Sequence, residues 1–182
     1  MLVIVDASNR DMGTSYELID LIINSYAEKE RIIVALNQCD MAMKGRFWNC
    51  RENRPEPQLT DFLEKKVDSI RRRILESNGI EIEPVYYSAG YTDGVEKQDP
   101  YNISKLFYLI LKNLKSSKAL QVVQKRSKDE NNFINDEKND GGKSYRKKSK
   151  NILVEAARAV YETVVDTAKR AWDTVCSFFS FW

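Results

Sequence analysis

Residues 31–43 read RIIVALNQCDMAM, and the way this stretch ends governs how the rest of the chain is read. An apolar, largely β-branched run, Ile32 to Leu36, stops abruptly at Asn37-Gln38-Cys39-Asp40. A short apolar run bounded by polar turn formers is the pattern of a strand buried on both faces. The amide and the carboxylate at its end allow two readings. Asn and Asp are favoured in turns, so the strand could simply be stopping. In an open parallel sheet, however, ligands bind at the carboxyl ends of strands, so the same pair could face one.

Working outward, Leu2 to Val5 form a second apolar run closed by Asp6-Ala7-Ser8-Asn9, again the pattern of a doubly buried strand. Between the two runs, Thr14 with Glu17 three residues on reads as a capping box. The helix it opens carries Leu18, Ile19, Ile22, Ile23 and Tyr26 on one face. After Asp40 comes an irregular stretch, 41–57, containing Trp48, Pro55 and Pro57. A long helix follows, with Leu59, Phe62, Leu63, Val67, Ile70 and Ile74 at helical spacing, and Asn78-Gly79 stops it. A third strand is expected within 80–90, IEIEPVYYSAG, ending in the small residues Ser88-Ala89-Gly90. Asn102 then caps a helix with Ile103, Leu106, Phe107, Ile110 and Leu114 inward. The order β-α-β-α-β-α predicts an α/β fold, a doubly wound parallel sheet with right-handed crossovers.

From about Lys115 the character changes. Residues 118–150 are rich in Asn and Lys, lack apolar periodicity and read as a flexible polar linker, with YRKKSK (145–150) the densest positive patch. Residues 151–182 read as an amphipathic helix. Leu153, Ala157, Val160, Val164, Ala168, Ala171 and Val175 follow one stripe, and Glu155, Arg158, Glu162, Asp166, Lys169 and Asp173 the opposite one. The chain closes on Phe178, Phe179, Phe181 and Trp182. The expected organisation is therefore a domain over 1–117, the linker, and the helical tail. The mixed charge of the tail's polar face favours docking to protein over an anionic membrane, with lipid contact the lesser expectation because of the aromatic end.

Composition narrows the chemistry. The chain has 182 residues, 42% of them apolar and 31% charged, with a formal net charge of +2, so it is not a polycation built for nucleic acid. With no histidine, Ser-His-Asp and Cys-His catalysis and His-based metal sites are excluded. Three cysteines (Cys39, Cys50, Cys176) without CxxC spacing argue for reduced thiols. No run approaches the roughly 18 apolar residues that span a bilayer, and no signal peptide is visible, so a cytoplasmic protein, peripheral to a membrane if the tail binds one, is expected. Asp6 and Arg10 read as a solvated turn, and Cys39 as a small filler with no histidine to activate it.

The residues at the strand ends can be asked what they would bind. A carboxylate only accepts hydrogen bonds. Asp40 could take two from the N1–H and the N2 amine of guanine, whereas adenine would turn a lone pair toward it. Asn37 could meet the N7/O6 edge, and backbone N–H groups of Ser88-Ala89-Gly90 could reach O6. Taken alone, N-x-x-D is a weak pattern that turns produce often.

Asn37-Gln38-Cys39-Asp40 resembles the N-K-x-D guanine-specificity motif of Era-like P-loop GTPases, and Ser88-Ala89-Gly90 resembles their S-A-K motif. The closest resemblance is to predicted GTP-binding proteins carried on bacterial prophages and genomic islands. It extends over LVIVDASNRDMGTSYE, the insertion FWNCRENRPEPQ and the tail AARAVYETVVDTAKRAWDTVCSFF. Gln38 stands in place of the lysine that covers the base, and Gly90 in place of the lysine of S-A-K. Nothing matches G-x-x-x-x-G-K-[ST], and no D-x-x-G precedes the first strand; the family order puts both upstream of residue 1. The resemblance thus implies the carboxyl-terminal part of a GTPase domain, with the base-recognition residues Asn37, Gln38, Asp40, Ser88, Ala89 and Gly90, no catalytic residue and no metal ligand. GTP or GDP is the implied ligand, with Mg²⁺ only if a phosphate-binding part is supplied, and independent GTP hydrolysis is not expected. Ribosome-associated relatives make RNA contact through the linker a weaker expectation. The alternative is a non-catalytic interaction or membrane-peripheral protein acting through its tail. By the same resemblance Leu2–Val5 stands at an unprotected sheet edge, so the chain alone is expected to be marginally stable and prone to associate.

Overall fold

The computed structural model describes residues 1–9, 12–90, 99–114, 118 and 142–179. In chain order its elements are β1 (Leu2–Asp6), α1 (Gly13–Ser25), β2 (Ile33–Asn37), β3 (Trp48–Asn49), β4 (Arg54–Pro55), α2 (Pro57–Asn78), β5 (Val85–Tyr86), α3 (Ile103–Asn113) and α4 (Gly142–Phe179). Short 3-10 turns occupy Lys29–Arg31 and Cys39–Gly45. The result is a mixed α/β fold of the general Rossmann-like kind.

β1, β2 and β5 form a sheet in the order β1-β2-β5, and both pairings are parallel. Register runs unbroken from Leu2 opposite Ile33 to Asp6 opposite Asn37, so these two polar ends lie side by side. Val3, Val5, Val34 and Leu36 point to the face covered by Ile19 and Ile23 of α1 and by Leu59, Leu63, Val67, Ile70 and Ile74 of α2. Ile33, Ala35, Val85 and Tyr87 point to the opposite face, where Leu106 and Leu109 of α3 cover them. Branched side chains on both faces of β2 therefore find cover, as its continuous apolar run requires.

β1 departs from expectation. It is buried on one face only: Leu2 and Ile4 are 38% and 56% exposed. Its run is as apolar as that of β2, but the core that α3 forms on the opposite face is with residues of β2 and of the β5 segment. The third strand is also shorter than expected, with pairing confined to Val85 and Tyr86. Pro84 has no N–H to give a ladder, which sets the start of the strand.

The α2 stripe forms as its spacing predicts, with Leu59, Leu63, Val67, Ile70 and Ile74 buried. Pro57 occupies its first turn, where a missing N–H costs nothing. Gly79 ends it in the left-handed region (φ +67°), donating its N–H to the Leu75 carbonyl at 2.9 Å. In α1 the expected Thr14 cap is not made. The Tyr16 N–H already bonds the Met12 carbonyl at 2.8 Å, so Thr14 lies inside the first turn and the buried Met12 precedes it. Asn102 does precede α3, but its side chain donates to the Tyr86 carbonyl (3.1 Å) instead of capping the helix. Of the α3 residues expected inward, Leu106 faces the sheet with Ile103 and Ile110 packed beside it, while Phe107 and Leu114 turn toward α4.

The tail helix begins at Gly142, inside the stretch expected to be linker, and not at 151. Packing against α3 explains the earlier start. The Tyr108 and Tyr145 rings lie 5.6 Å apart, Lys148 sits over both, and Ser149 and Ala156 are buried with Ile152 and Leu153 against Phe107, Leu111 and Leu114. Of the expected apolar stripe, Leu153 is in this docked cluster while Ala157 and Val164 are exposed. The rest of the expected linker, 119–141, and the terminal 180–182 lie outside the described residues. No described helix is long and apolar enough to cross a membrane.

Candidate functional site

Parallel strands bring their carboxyl ends to one edge of the sheet, and a cleft of about 1260 Å³ opens there. Asn37, Gln38, Asp40, Ser88, Ala89 and Gly90 all line it, so residues about fifty positions apart in sequence meet in one cleft. Asn37 is the last residue of β2, and its carbonyl accepts the Ala7 N–H at 2.8 Å. Gln38 then turns through the left-handed region (φ +57°, ψ +40°), which swings the chain off the strand. Cys39 is driven inward to full burial, its N–H bonded to the Tyr87 carbonyl at 3.2 Å. Burial, and secondarily the neighbouring Asp40, push the Cys39 thiol far above its ordinary pKa, so it packs as an inert filler and is no nucleophile.

The consequence for the two flanking residues is specific. Asn37 Oδ1 and Asp40 Oδ1 are both buried atoms, and neither has a hydrogen-bond partner. A buried polar atom left unpaired costs on the order of 1–3 kcal/mol, so two in one cleft are a standing cost that a ligand would relieve.

The Ser88–Gly90 part of the cleft is held by a clamp that sequence reading missed. Ser88 and Tyr101 exchange backbone bonds (Ser88 N–H to Tyr101 carbonyl 3.1 Å, the reverse 2.9 Å). Tyr101 is fully buried between Tyr86, stacked at 6.4 Å, and the Trp48 ring, edge-on at 5.3 Å. Trp48 belongs to the antiparallel β3–β4 ribbon, from which Asn53 Nδ2 also donates to the Asp99 carbonyl at 2.9 Å. Gly90 is fixed by this arrangement. It sits at φ +62°, and a Cβ there would collide with the Asp99 carbonyl. Within the Ser88-Ala89-Gly90 turn the Gly90 N–H is taken by Ser88 Oγ (3.1 Å) and the Ser88 N–H by Tyr101. That leaves the Ala89 N–H as the amide of the three without a partner among the described residues, where sequence reading offered all three.

The cations Lys44, Arg46 and Lys66 line the cleft without having been singled out, and so does Phe62, expected only as part of the α2 stripe. Lys66 reaches from α2 to donate to the carbonyls of Ala7 (2.7 Å) and Asn9, with its ammonium 5.1 Å from the Phe62 ring centroid. Desolvation lowers its pKa, an effect Asp6 partly offsets. The available signal was that residues early in α2 must lie near the strand ends, since α2 starts on that side of the sheet. Asp6 accepts the Ser8 N–H at 2.7 Å, the turn expected of it, and Arg10 lies outside the described residues. Among the described residues no three His, Cys, Asp or Glu side chains gather to hold a metal ion. Comparison of the chain with protein-family models, with curated proteins and with solved structures finds no match.

Proposed function

We propose that this cleft binds a guanine base, in the manner of the base-recognition half of an Era-like GTPase domain. The observation that carries the reading is the pair of orphaned acceptors, Asn37 Oδ1 and Asp40 Oδ1, in the cleft that Ala89 also lines. Guanine's N1–H and N2 amine suit the Asp40 carboxylate, and its O6 suits the Ala89 amide. Rotation of the Asn37 amide by half a turn would offer its NH₂ to N7. Adenine puts an acceptor where Asp40 needs a donor and an amine where Ala89 needs an acceptor. The aliphatic part of Gln38 and the Met41 side chain, also on the cleft, supply apolar cover for a ring.

The phosphates are a separate matter. The sequence contains no G-x-x-x-x-G-K-[ST], so the proposal covers base recognition and not hydrolysis, and Mg²⁺ enters only with a phosphate-binding part. Base contacts without that part give weak binding, with a Kd on the order of 0.1–1 mM. Calorimetry with GDP and ADP tests the reading: GDP should bind roughly tenfold tighter or more. Asp40→Asn should move the preference to xanthosine diphosphate, whose C2 carbonyl needs the donor that an amide supplies. Equal binding of GDP and ADP removes the proposal.

A further inference from the structure

The early start of α4 places two sequence features on one surface. At 100° per residue, Lys143, Arg146, Lys147 and Lys150 fall on a single face, and they line one shallow basic groove. The same face continues into Val154, Ala157, Tyr161 and Val164, all exposed, with Val154 and Tyr161 at 69% and Val164 at 62%. No acidic residue falls on this face between Lys143 and Val165; Glu155, Glu162 and Asp166 lie on another, where Glu162 is paired with Arg158 at 2.9 Å. The side docked on α3 is a third one, made by Tyr145, Ser149, Ile152 and Ala156. A helix of 38 residues is about 57 Å long, so α3, with 11, covers only its beginning.

We propose that this face of α4 lies on an anionic lipid surface, with Lys143, Arg146, Lys147 and Lys150 among the headgroups and Val154, Tyr161 and Val164 at the acyl boundary. A membrane interface offers both chemistries in one plane, negative charge and an apolar layer just beneath it. A nucleic-acid backbone would satisfy the lysines but leave the Val154–Val164 stretch in water. An antiparallel second copy of α4 would lay one helix's lysines against the other's apolar turns, with no carboxylate in reach. The mixed-charge face that argued against lipid when the tail was read as beginning at 151 is a different side of the helix. The inference is independent of base binding.

Flotation of the full chain with vesicles of phosphatidylcholine, alone and mixed with phosphatidylserine, tests it. Binding should require phosphatidylserine and weaken with salt. Lys147→Glu with Lys150→Glu should lower it more than about 25-fold, since each basic residue near such a surface is worth roughly a fivefold factor and two are reversed. Tyr161→Asp with Val164→Asp should lower it comparably, and Lys147→Gln with Lys150→Gln should do so to a smaller degree. These positions are exposed, and circular dichroism checks that each variant keeps its helix. Failure to bind phosphatidylserine vesicles overturns the proposal, whether or not a single-stranded RNA binds instead. So does vesicle binding that ignores the Tyr161/Val164 pair, which would make the contact purely electrostatic.

Discussion

β1 and β2 are five-residue apolar strands of the same kind, joined residue for residue in parallel, yet they occupy different environments. In β2 the first four residues are buried, on both faces; in β1 burial alternates, and Ile4 is more than half exposed. The difference arises in the helix layers. α1 and α2 together span both strands on one side, whereas the core that α3 forms on the other side is with β2 and the β5 segment. An apolar run therefore reports a strand reliably, but the number of its covered faces is set by helices many residues away.

Truncation should expose this asymmetry, and it is the largest effect expected. Leu36 is fully buried, so Leu36→Ala should cost about 3 kcal/mol, within the 2–5 usual for a core leucine, and lower the urea midpoint accordingly. Ile4→Ala should cost less than about 1 kcal/mol, because little area leaves water at that side chain on folding. As β1 is also an edge of the described sheet, Ile4→Lys should reduce concentration-dependent association, a lysine being a common guard on such edges. Equal costs for Leu36→Ala and Ile4→Ala would mean that something covers Ile4 in solution, and the contrast between the strands would be void.

The two walls of the cleft differ in a related way. The Asn37–Asp40 wall is built from consecutive residues at the end of β2, while the Ser88–Gly90 wall depends on Tyr101 and on Trp48 in the β3–β4 ribbon. Trp48 is only partly buried, so Trp48→Ala should cost about 2 kcal/mol, below the range for a fully buried tryptophan. Its larger consequence should be local. Amide exchange should speed up at Ser88 and Tyr101, whose N–H groups close the clamp, while Leu36 and Tyr87 in the sheet keep their protection. Uniform loss of protection would show that the clamp and the sheet are one cooperative unit.

Those two walls also mark how far the sequence could be read. The β2 run, the α2 stripe and the Gly79 stop depend on local periodicity and backbone conformation, and they formed as expected. That Asn37, Asp40 and Ser88–Gly90 would share one edge followed from the parallel β-α-β order. The partial exposure of β1, the Trp48–Tyr101 clamp and the reach of Lys66 to Ala7 each require contacts between distant segments that no spacing encodes. The start of α4 was hidden for a related reason. Lys143 to Lys150 look like linker by composition, and the packing of Tyr145 on Tyr108 of α3 that accompanies their helix joins distant segments.

The smallest effect expected concerns the two described thiols, and it separates the interior of the site turn from the ribbon surface. Cys39 is buried and Cys50 exposed. In a Cys176→Ser background, iodoacetamide should label Cys50 readily and Cys39 only through unfolding, so that Cys39 labelling reports global stability. The buried thiol also has a pH signature. Its pKa is raised above the ordinary 9.0 by burial, so the folded state keeps this proton where the unfolded state releases it. Its stabilising contribution is complete below pH 9.0 and is lost progressively above it. Lys66 acts with the opposite sign: its pKa lies below 10.5, so the unfolded state holds more protons between the two values and stability from this group rises there with pH. The raw alkaline profile mixes the two. Cys39→Ala isolates the thiol, and the variant should lose about 1 kcal/mol near neutral pH while falling less steeply than the parent above pH 9.0. Parallel alkaline slopes for parent and variant would mean that Cys39 ionises as freely in the folded chain as in the unfolded one, and that the turn between Asn37 and Asp40 is open to water.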